Sequence, residues 1–410
     1  MRFAHMADLH IGGWRDPLLQ DISFRAFARA CDICIREKVD FILIAGDIFN
    51  TSLPSIDSLK GTVKQLKILR EHGIPVYIVP GSHDYSPSGK TMLDVIEETG
   101  LWKNVVKGDV VGERLRLRFT IDGKTGAKIT GLLGKRAALE KGLYSSLDKE
   151  HLEQEQGFRI FLFHSGITEL KPSSFQHVET LPLSFFPKGF DYYAGGHIHT
   201  VSVEDVDGYG KIAYPGPLFP NSFSELEELG EGGFYLYLDG EVRRVPVSMH
   251  PVVRCKVDCG NLTPEDTEKK IVDAISALEV TDALVTLRLH GKLASGKASD
   301  IDIKGIFTRL YDQGAYVVMK NLSRLESPIF DEIKVEQGSL DEVEDRIIKE
   351  HAGQHQLAGY SPDEQRALIR NLMDALHTEK KEGETVGTFE DRLDRGIRAV
   401  LGREKGTSPQ

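Results

Sequence analysis

Five apolar runs each end in acidic or imidazole side chains, and this order constrains the fold more than any other feature of the chain. The endings are Asp8-Leu9-His10, Gly46-Asp47, Gly81-Ser82-His83-Asp84, His164 and His197-Ile198-His199. Runs such as Phe41-Ile42-Leu43-Ile44-Ala45 and Val76-Tyr77-Ile78-Val79 are continuously apolar, as expected of strands covered on both faces. Between them Leu59, Val63, Leu66 and Leu69 recur at helical spacing, closing near His72-Gly73. Strand–helix alternation over residues 1 to about 248 predicts an α/β layered fold. Ligands of open α/β sheets sit beyond the carboxyl ends of the strands. The five endings are therefore expected at one edge of one sheet.

In an extended backbone, residues i and i+2 point the same way. On that basis Asp8 and His10 face one ion together, and so do His197 and His199. Gly46 lets the chain turn tightly ahead of Asp47. Carboxylates with imidazoles and no thiolate suit Mn²⁺, Fe²⁺ or Zn²⁺, whereas Mg²⁺ sites are usually built of oxygens. One strand-end histidine is ordinarily structural. Five such endings in one chain are poorly explained by packing.

The other segments differ in texture. Leu115, Leu117, Phe119 and Ile121 alternate with Arg114, Arg116, Arg118 and Thr120, followed by Asp122-Gly123. That pattern predicts one half-exposed hairpin strand. Phe234–Leu238, Asp239-Gly240 and Val242–Val247 read as a second hairpin. Residues 252–333 read β-α-β-α-β, with Thr263-Pro264 opening the first helix. Residues 338–410 are helical and charged. Ser339-x-x-Glu342, Ser361-Pro362-Asp363-Glu364 and Thr388-x-x-Asp391 mark three helix starts, and glycines at 353, 359, 383 and 387 separate the helices. Their apolar stripes are thin, so these helices are expected to dock on the body or on a partner.

The formal net charge of −11 excludes a generally basic, nucleic-acid-coating protein. It does not exclude local phosphate sites built from metals and basic patches. Four cysteines in 410 residues make no disulfide framework. Cys31 and Cys34 share a helix face with Phe24 and Phe27 and read as core thiols. No signal peptide and no apolar run of membrane-spanning length is visible, so a cytoplasmic protein without membrane contact is expected.

The series Asp-x-His, Gly-Asp, Gly-x-His-Asp, lone His and Gly-His-x-His resembles the calcineurin-like metallophosphoesterase signature. Arg2 to His10 and Phe41 to Phe49 resemble more closely the DNA double-strand-break repair nucleases of the Mre-eleven/SbcD type. The resemblance implies a four-layer sandwich, two sheets flanked by helices, with a small α/β capping domain and a helical tail. It implies that Asp8, His10 and His199 hold one Mn²⁺ and that Ser82, His164 and His197 hold a second. Asp47 would bridge the two ions, His83 would stand near the scissile phosphate, and Asp84 would orient His83. Ser82 departs from the family's asparagine, and a more weakly held second ion is expected.

The implied activity is Mn²⁺-dependent 3′-to-5′ exonuclease and single-strand endonuclease cleavage. The implied partners are DNA ends, a Rad-fifty/SbcC-type ABC ATPase bound through the tail, and a second copy of the chain. Candidate phosphate contacts are Lys90, Arg114, Arg116, Arg118, Lys292, Lys297 and Lys320. Charges on an outer strand face also serve simply to keep an edge soluble. Two other functions stay open: a phosphoesterase for small molecules or phosphoproteins, and a weakly catalytic scaffold that binds DNA ends.

Overall fold

The computed structural model describes residues 1–86, 91–135, 139–171, 179–327, 361–378, 380–381 and 384–401. Lys90 and the predicted helix start at Ser339 lie outside them.

The chain begins β1 (Arg2–Met6), α1 (Ile22–Glu37), β2 (Phe41–Ala45), α2 (Ile56–Glu71), β3 (Val76–Val79), α3 (Met92–Glu98) and β4 (Lys103–Asn104). It continues through β5 (Gly108–Val111), β6 (Arg114–Leu117), β7 (Thr120–Ile121), β8 (Lys128–Leu132), α4 (Lys141–Ser145), α5 (Lys149–Glu153) and β9 (Arg159–His164). There follow β10 (Tyr192–Gly196), β11 (Ser202–Val206), β12 (Gly210–Tyr214), α6 (Phe223–Leu229), β13 (Gly232–Leu238) and β14 (Glu241–Val247).

Two six-stranded sheets result, ordered β14-β13-β1-β2-β3-β4 and β11-β12-β10-β9-β8-β7. Alternation within the strands explains how they stack. Phe41, Leu43 and Ala45 face the core between the sheets with Phe3, Tyr77, Ile160, Leu162 and Tyr192. Ile42 and Ile44 face outward, where α1, α2 and α3 cover them with Phe27, Cys31, Leu66, Leu69 and Ile96. Phe161, Phe163 and Tyr193 form the outer face of the second sheet, under Tyr144 of α4 and Leu152 of α5. Helices thus flank both sheets, in the expected four layers. Phe3 pins the sheets together, stacked 5.0 Å from Phe41 and 4.5 Å from Tyr237, with Tyr192 edge-on at 5.1 Å. Each such pair adds about 0.5–1.5 kcal/mol beyond its buried area.

Two expectations need correction. The five site-bearing strands do not share one sheet: β1, β2 and β3 belong to the first, β9 and β10 to the second. The alternating arginine stretch is not one strand either. β6 pairs with β5 in a separate two-stranded ribbon, and the chain breaks at Arg118-Phe119 before β7 joins β8. Alternation shows a half-buried ribbon but not which partner each half finds.

The small segment forms β15 (Val252–Asp258), α7 (Pro264–Ser276), β16 (Leu284–Lys292), α8 (Ile303–Asp312) and β17 (Val317–Glu326), with a parallel sheet ordered β15-β16-β17. Thr263 caps α7 by accepting from the Asp266 N–H. The segment has its own core around Ile271, Leu287 and Leu310, yet Leu284 and Val317 join the core of the larger body. Contacts accordingly group Met1–Pro328 as one unit and Ile329–Gln410 as another.

In the second unit, helix Pro362–Leu376 starts at a full capping box between Ser361 and Glu364. Helix Val386–Val400 starts at Thr385, not at the expected Thr388, because the Thr385 hydroxyl accepts from the Thr388 N–H. Gly387, expected between helices, lies inside that first turn. No helix among the described residues is long and apolar enough to cross a membrane.

Candidate metal centre

The strand ends do not run on extended into the site. Asp8, His10, Asp47, His197 and His199 all have positive φ, between 42° and 92°. They are five of the nine non-glycine residues in that conformation among the described residues. Each position costs about 1–2 kcal/mol over ordinary backbone. Strain concentrated in this way marks the place where the fold is shaped for chemistry. It also separates His197 from His199, which an extended backbone would turn the same way, while Asp8 and His10 still meet in one group. His199 turns toward Asp8 and His10, while the His197 ring lies against that of His164, centroids 5.1 Å apart.

Backbone bonds hold the loops in register. The Asp8 N–H donates to Gly46 O at 3.1 Å and the His10 N–H to Asp47 O at 2.9 Å. Asp84 fastens the next loop, accepting from the N–H groups of Ile48, Phe49 and Gly81. Its expected role therefore changes: the carboxylate holds backbone, and it is Asn50 O that accepts from His83 Nδ1 at 2.8 Å. Glycine is required where the loops meet. A Cβ on Gly46 would lie 2.3 Å from His164 Nδ1, and one on Gly81 would lie 2.2 Å from Asp47 Oδ1.

Three overlapping groups bring ligand atoms within 4.8 Å of one another: Asp8 with His10 and His199, His10 with Asp47 and His83, and Asp8 with Asp47 and His164. Asp47 Oδ2 lies 3.2 Å from His164 Nε2, 3.7 Å from His10 Nε2 and 3.5 Å from Ser82 Oγ, so it faces both halves of the site. His199 Nε2 lies 3.4 Å from Asp8 Oδ1 and 3.1 Å from His10 Nε2.

The donor set fits divalent cations. Asp8 and Asp47 are almost wholly buried side by side, which is costly for two carboxylates without added positive charge. His164 Nε2 is buried without a hydrogen bond although a carboxylate oxygen is close. Its outer nitrogen donates to Ala45 O at 2.7 Å, so Nε2 is the nitrogen turned to the cluster.

The protons of the metal-free site follow from burial and charge. Burial pushes His10 and His197 down to about 4, so both are neutral at pH 7. Burial also opposes the charge on His164, but the Asp47 and Asp8 carboxylates outweigh it and raise it to about 9. His199 is raised in the same way against burial, by Asp8 and Glu225. Metal uptake near pH 7 is therefore expected to release protons from these two rings, with affinity rising toward pH 9. Titrating Mn²⁺ calorimetrically in buffers of different ionisation enthalpy checks this, and identical heats in all of them would contradict it. A group raised from 6.5 to about 9 stabilises the metal-free fold fully below pH 6.5 and loses that contribution as pH climbs through about 9.

The sequence profile described as calcineurin-like phosphoesterase matches residues 1–201, the stretch that holds every residue of this cluster. The chain carries a calcineurin-like phosphoesterase domain. It is a metal-dependent phosphoesterase. The chain is 25% identical over 93% of its length to a "DNA double-strand break repair protein Mre11" of Archaeoglobus fulgidus, covering 90% of that protein. A protein of the same name from Methanococcus maripaludis is 25% identical over 85% of this chain and 91% of its own length. An "Uncharacterized metallophosphoesterase YhaO" of Bacillus subtilis is 27% identical over 58% of this chain and 57% of its own length.

Ser82 is buried beside Asp47, where the hydroxyl is shorter than an amide would be. With Mn²⁺ as the probe, Ser82→Asn is expected to tighten one bound divalent ion by about 10- to 100-fold, the range typical of ligand-support changes. Equilibrium Mn²⁺ titration followed by electron paramagnetic resonance measures it, and unchanged binding would remove Ser82 from the site.

The basic candidates are not gathered here. Arg116 pairs with Asp148 at 3.0 Å, Arg114 approaches the same carboxylate at 4.0 Å, and Arg118 faces Asp109 at 3.5 Å. Their charge is partly cancelled on the ribbon. Lys292, Lys297 and Lys320 are exposed on the small segment. One site residue had no sequence signal of its own. Glu225 approaches His199 Nδ1 at 3.1 Å, and Ser222-x-x-Glu225 has only the form of a helix start.

Proposed function

We propose that the chain is a Mn²⁺-dependent DNA nuclease, a 3′-to-5′ exonuclease and single-strand endonuclease acting at double-strand breaks. The observation that carries this reading is the span of the similarity. It covers the small α/β segment and the helical tail as well as the phosphoesterase domain. An enzyme for small phosphoesters needs neither addition. In this reading residues 1–248 are the nuclease domain, 252–333 a cap that meets DNA, and 338–410 the segment for a Rad-fifty/SbcC-type ATPase. Lys292, Lys297, Lys320 and the Arg114–Arg118 ribbon offer phosphate contacts that weaken with salt. A cytoplasmic homodimer completes the proposal.

Asp8, His10 and His199 would hold one ion, Ser82, His164 and His197 the other, with Asp47 between. Bound ions supply charge neutralisation at the phosphoryl oxygens and a more acidic water. The protein's own groups do the rest. His83 Nδ1–H is committed to Asn50 O, so any proton His83 gives must leave from Nε2. Aimed at the leaving sugar oxygen, that proton assists departure. Asp47 Oδ1 accepts from the His83 N–H at 2.8 Å, so the same carboxylate that faces the ions positions the acid.

The test is cleavage of linear DNA with and without Mn²⁺. Hydrolysis of an aryl phosphodiester with no action on DNA would favour a small-substrate enzyme. DNA-end binding without cleavage, in wild type and Ser82→Asn alike at saturating Mn²⁺, would favour a scaffold.

A further inference from the structure

α6 is a short helix with two attachments. Ser222 caps it by accepting from the Glu225 N–H at 3.2 Å, and Leu226 anchors it fully buried. On one side Glu225 turns back to the site. Its Oε1 lies 3.1 Å from His199 Nδ1, and its Oε2 accepts from the Asn221 N–H at 2.8 Å. A carboxylate only accepts, so His199 carries a proton on Nδ1, and Nε2 is the nitrogen turned to Asp8 and His10, the one left to meet an ion. Among the described residues, His199 is the site imidazole whose outer nitrogen is held by a carboxylate. Those of His164 and His83 go to backbone carbonyls.

On the other side Glu227 accepts from Arg288 Nε at 2.8 Å and Nη2 at 2.5 Å. The guanidinium lies 5.1 Å over the Phe223 ring, and both charged side chains are largely buried, at 12% and 18% exposure. Arg288 belongs to β16, where the pairing with β17 shifts register just beyond it. A planar fork held by a carboxylate and an aromatic face permits little displacement. The helix that places Glu225 is thereby tied to the central strand of the small segment.

We infer that α6 couples the small α/β segment to the metal centre, with Glu225 as the positioning residue for His199 and the Phe223–Arg288–Glu227 contact fixing the helix that carries it. This rests on His199 being a metal ligand. Displacing the small segment, as a bound macromolecule would, then alters how firmly one ion is held. No residue of the segment needs to enter the site.

Full-length protein titrated with Mn²⁺ alone, followed by electron paramagnetic resonance, tests it. Glutamine offers one acceptor where Glu225 supplies two. Glu225→Gln is therefore expected to weaken one ion about 10- to 100-fold and leave the other unchanged. Glu225→Asp should recover part of the loss. Arg288→Met is expected to weaken the same ion between about 2- and 30-fold. Thermal unfolding of the metal-free proteins checks that each is folded, and if Glu225→Gln is not, Arg288→Met decides alone. His199→Gln separates the two levels. If it leaves both ions bound as in wild type, the ligand reading fails. If it removes one ion while either Glu225→Gln or Arg288→Met binds like wild type, the coupling is overturned.

Discussion

Replacing Asp47 with asparagine is expected to lower phosphodiester cleavage by a factor of about 1,000 or more, some 4 kcal/mol of transition-state stabilisation. Asparagine keeps the shape and the acceptor that the His83 N–H uses. What it removes is the charge that faces His10 and His164 from one oxygen. Metal titration should show both ions weakened, because this carboxylate stands between the two halves of the site. A loss confined to one ion would contradict its central place. The variant should also reveal the metal-free electrostatics. His164 is held up to about 9 largely by Asp47, so without it the ring reverts toward neutrality near pH 7. The metal-free protein should lose on the order of 1–2 kcal/mol there. The stability deficit should shrink above pH 9, where wild type has lost the same contribution.

How far this site could be read beforehand depended on whether the information was local. The runs Phe41–Ala45 and Val76–Val79 are buried on both faces, and their sequence says so without help. The caps at Thr263 and Ser361 are equally plain, since a hydroxyl three residues before the N–H it accepts from is a self-contained device. Which residues would gather was legible from the order of their motifs. How they gather was not. Nothing in a strand's own residues says which of two sheets it enters, so the motif order alone suggests one shared sheet where β1, β2 and β3 in fact lie in one and β9 and β10 in the other. The positive φ at Asp8, His10, Asp47, His197 and His199 is imposed by hydrogen bonds between loops, such as His10 N–H to Asp47 O and His197 N–H to Asp8. Local sequence offers only the tolerance of Asp and His for that conformation. Glu225 lies 26 residues beyond His199, inside what reads as an ordinary capping box, and only the folded chain brings the two together.

His83→Gln is expected to reduce cleavage of DNA by about 100- to 10,000-fold while both Mn²⁺ ions bind as in wild type. The structure sets up two opposed readings. The His83 ring lies within the cluster, edge-on to His10 at 4.9 Å and within ligand range of Asp47. Yet its Nδ1 is taken by Asn50 O, its ring is partly exposed, and its backbone rather than its side chain meets Asp47. A proton donor and a metal ligand predict different losses. If His83 protonates the departing sugar oxygen, the loss should be large on DNA, whose leaving alkoxide is strongly basic. It should be small on a nitrophenyl phosphodiester, whose leaving group departs without a proton. If His83 holds an ion, both substrates should suffer alike and one Mn²⁺ should be lost on titration. Equal losses on the two substrates, with metal content unchanged, would leave His83 as a contact to the phosphoryl oxygens rather than an acid.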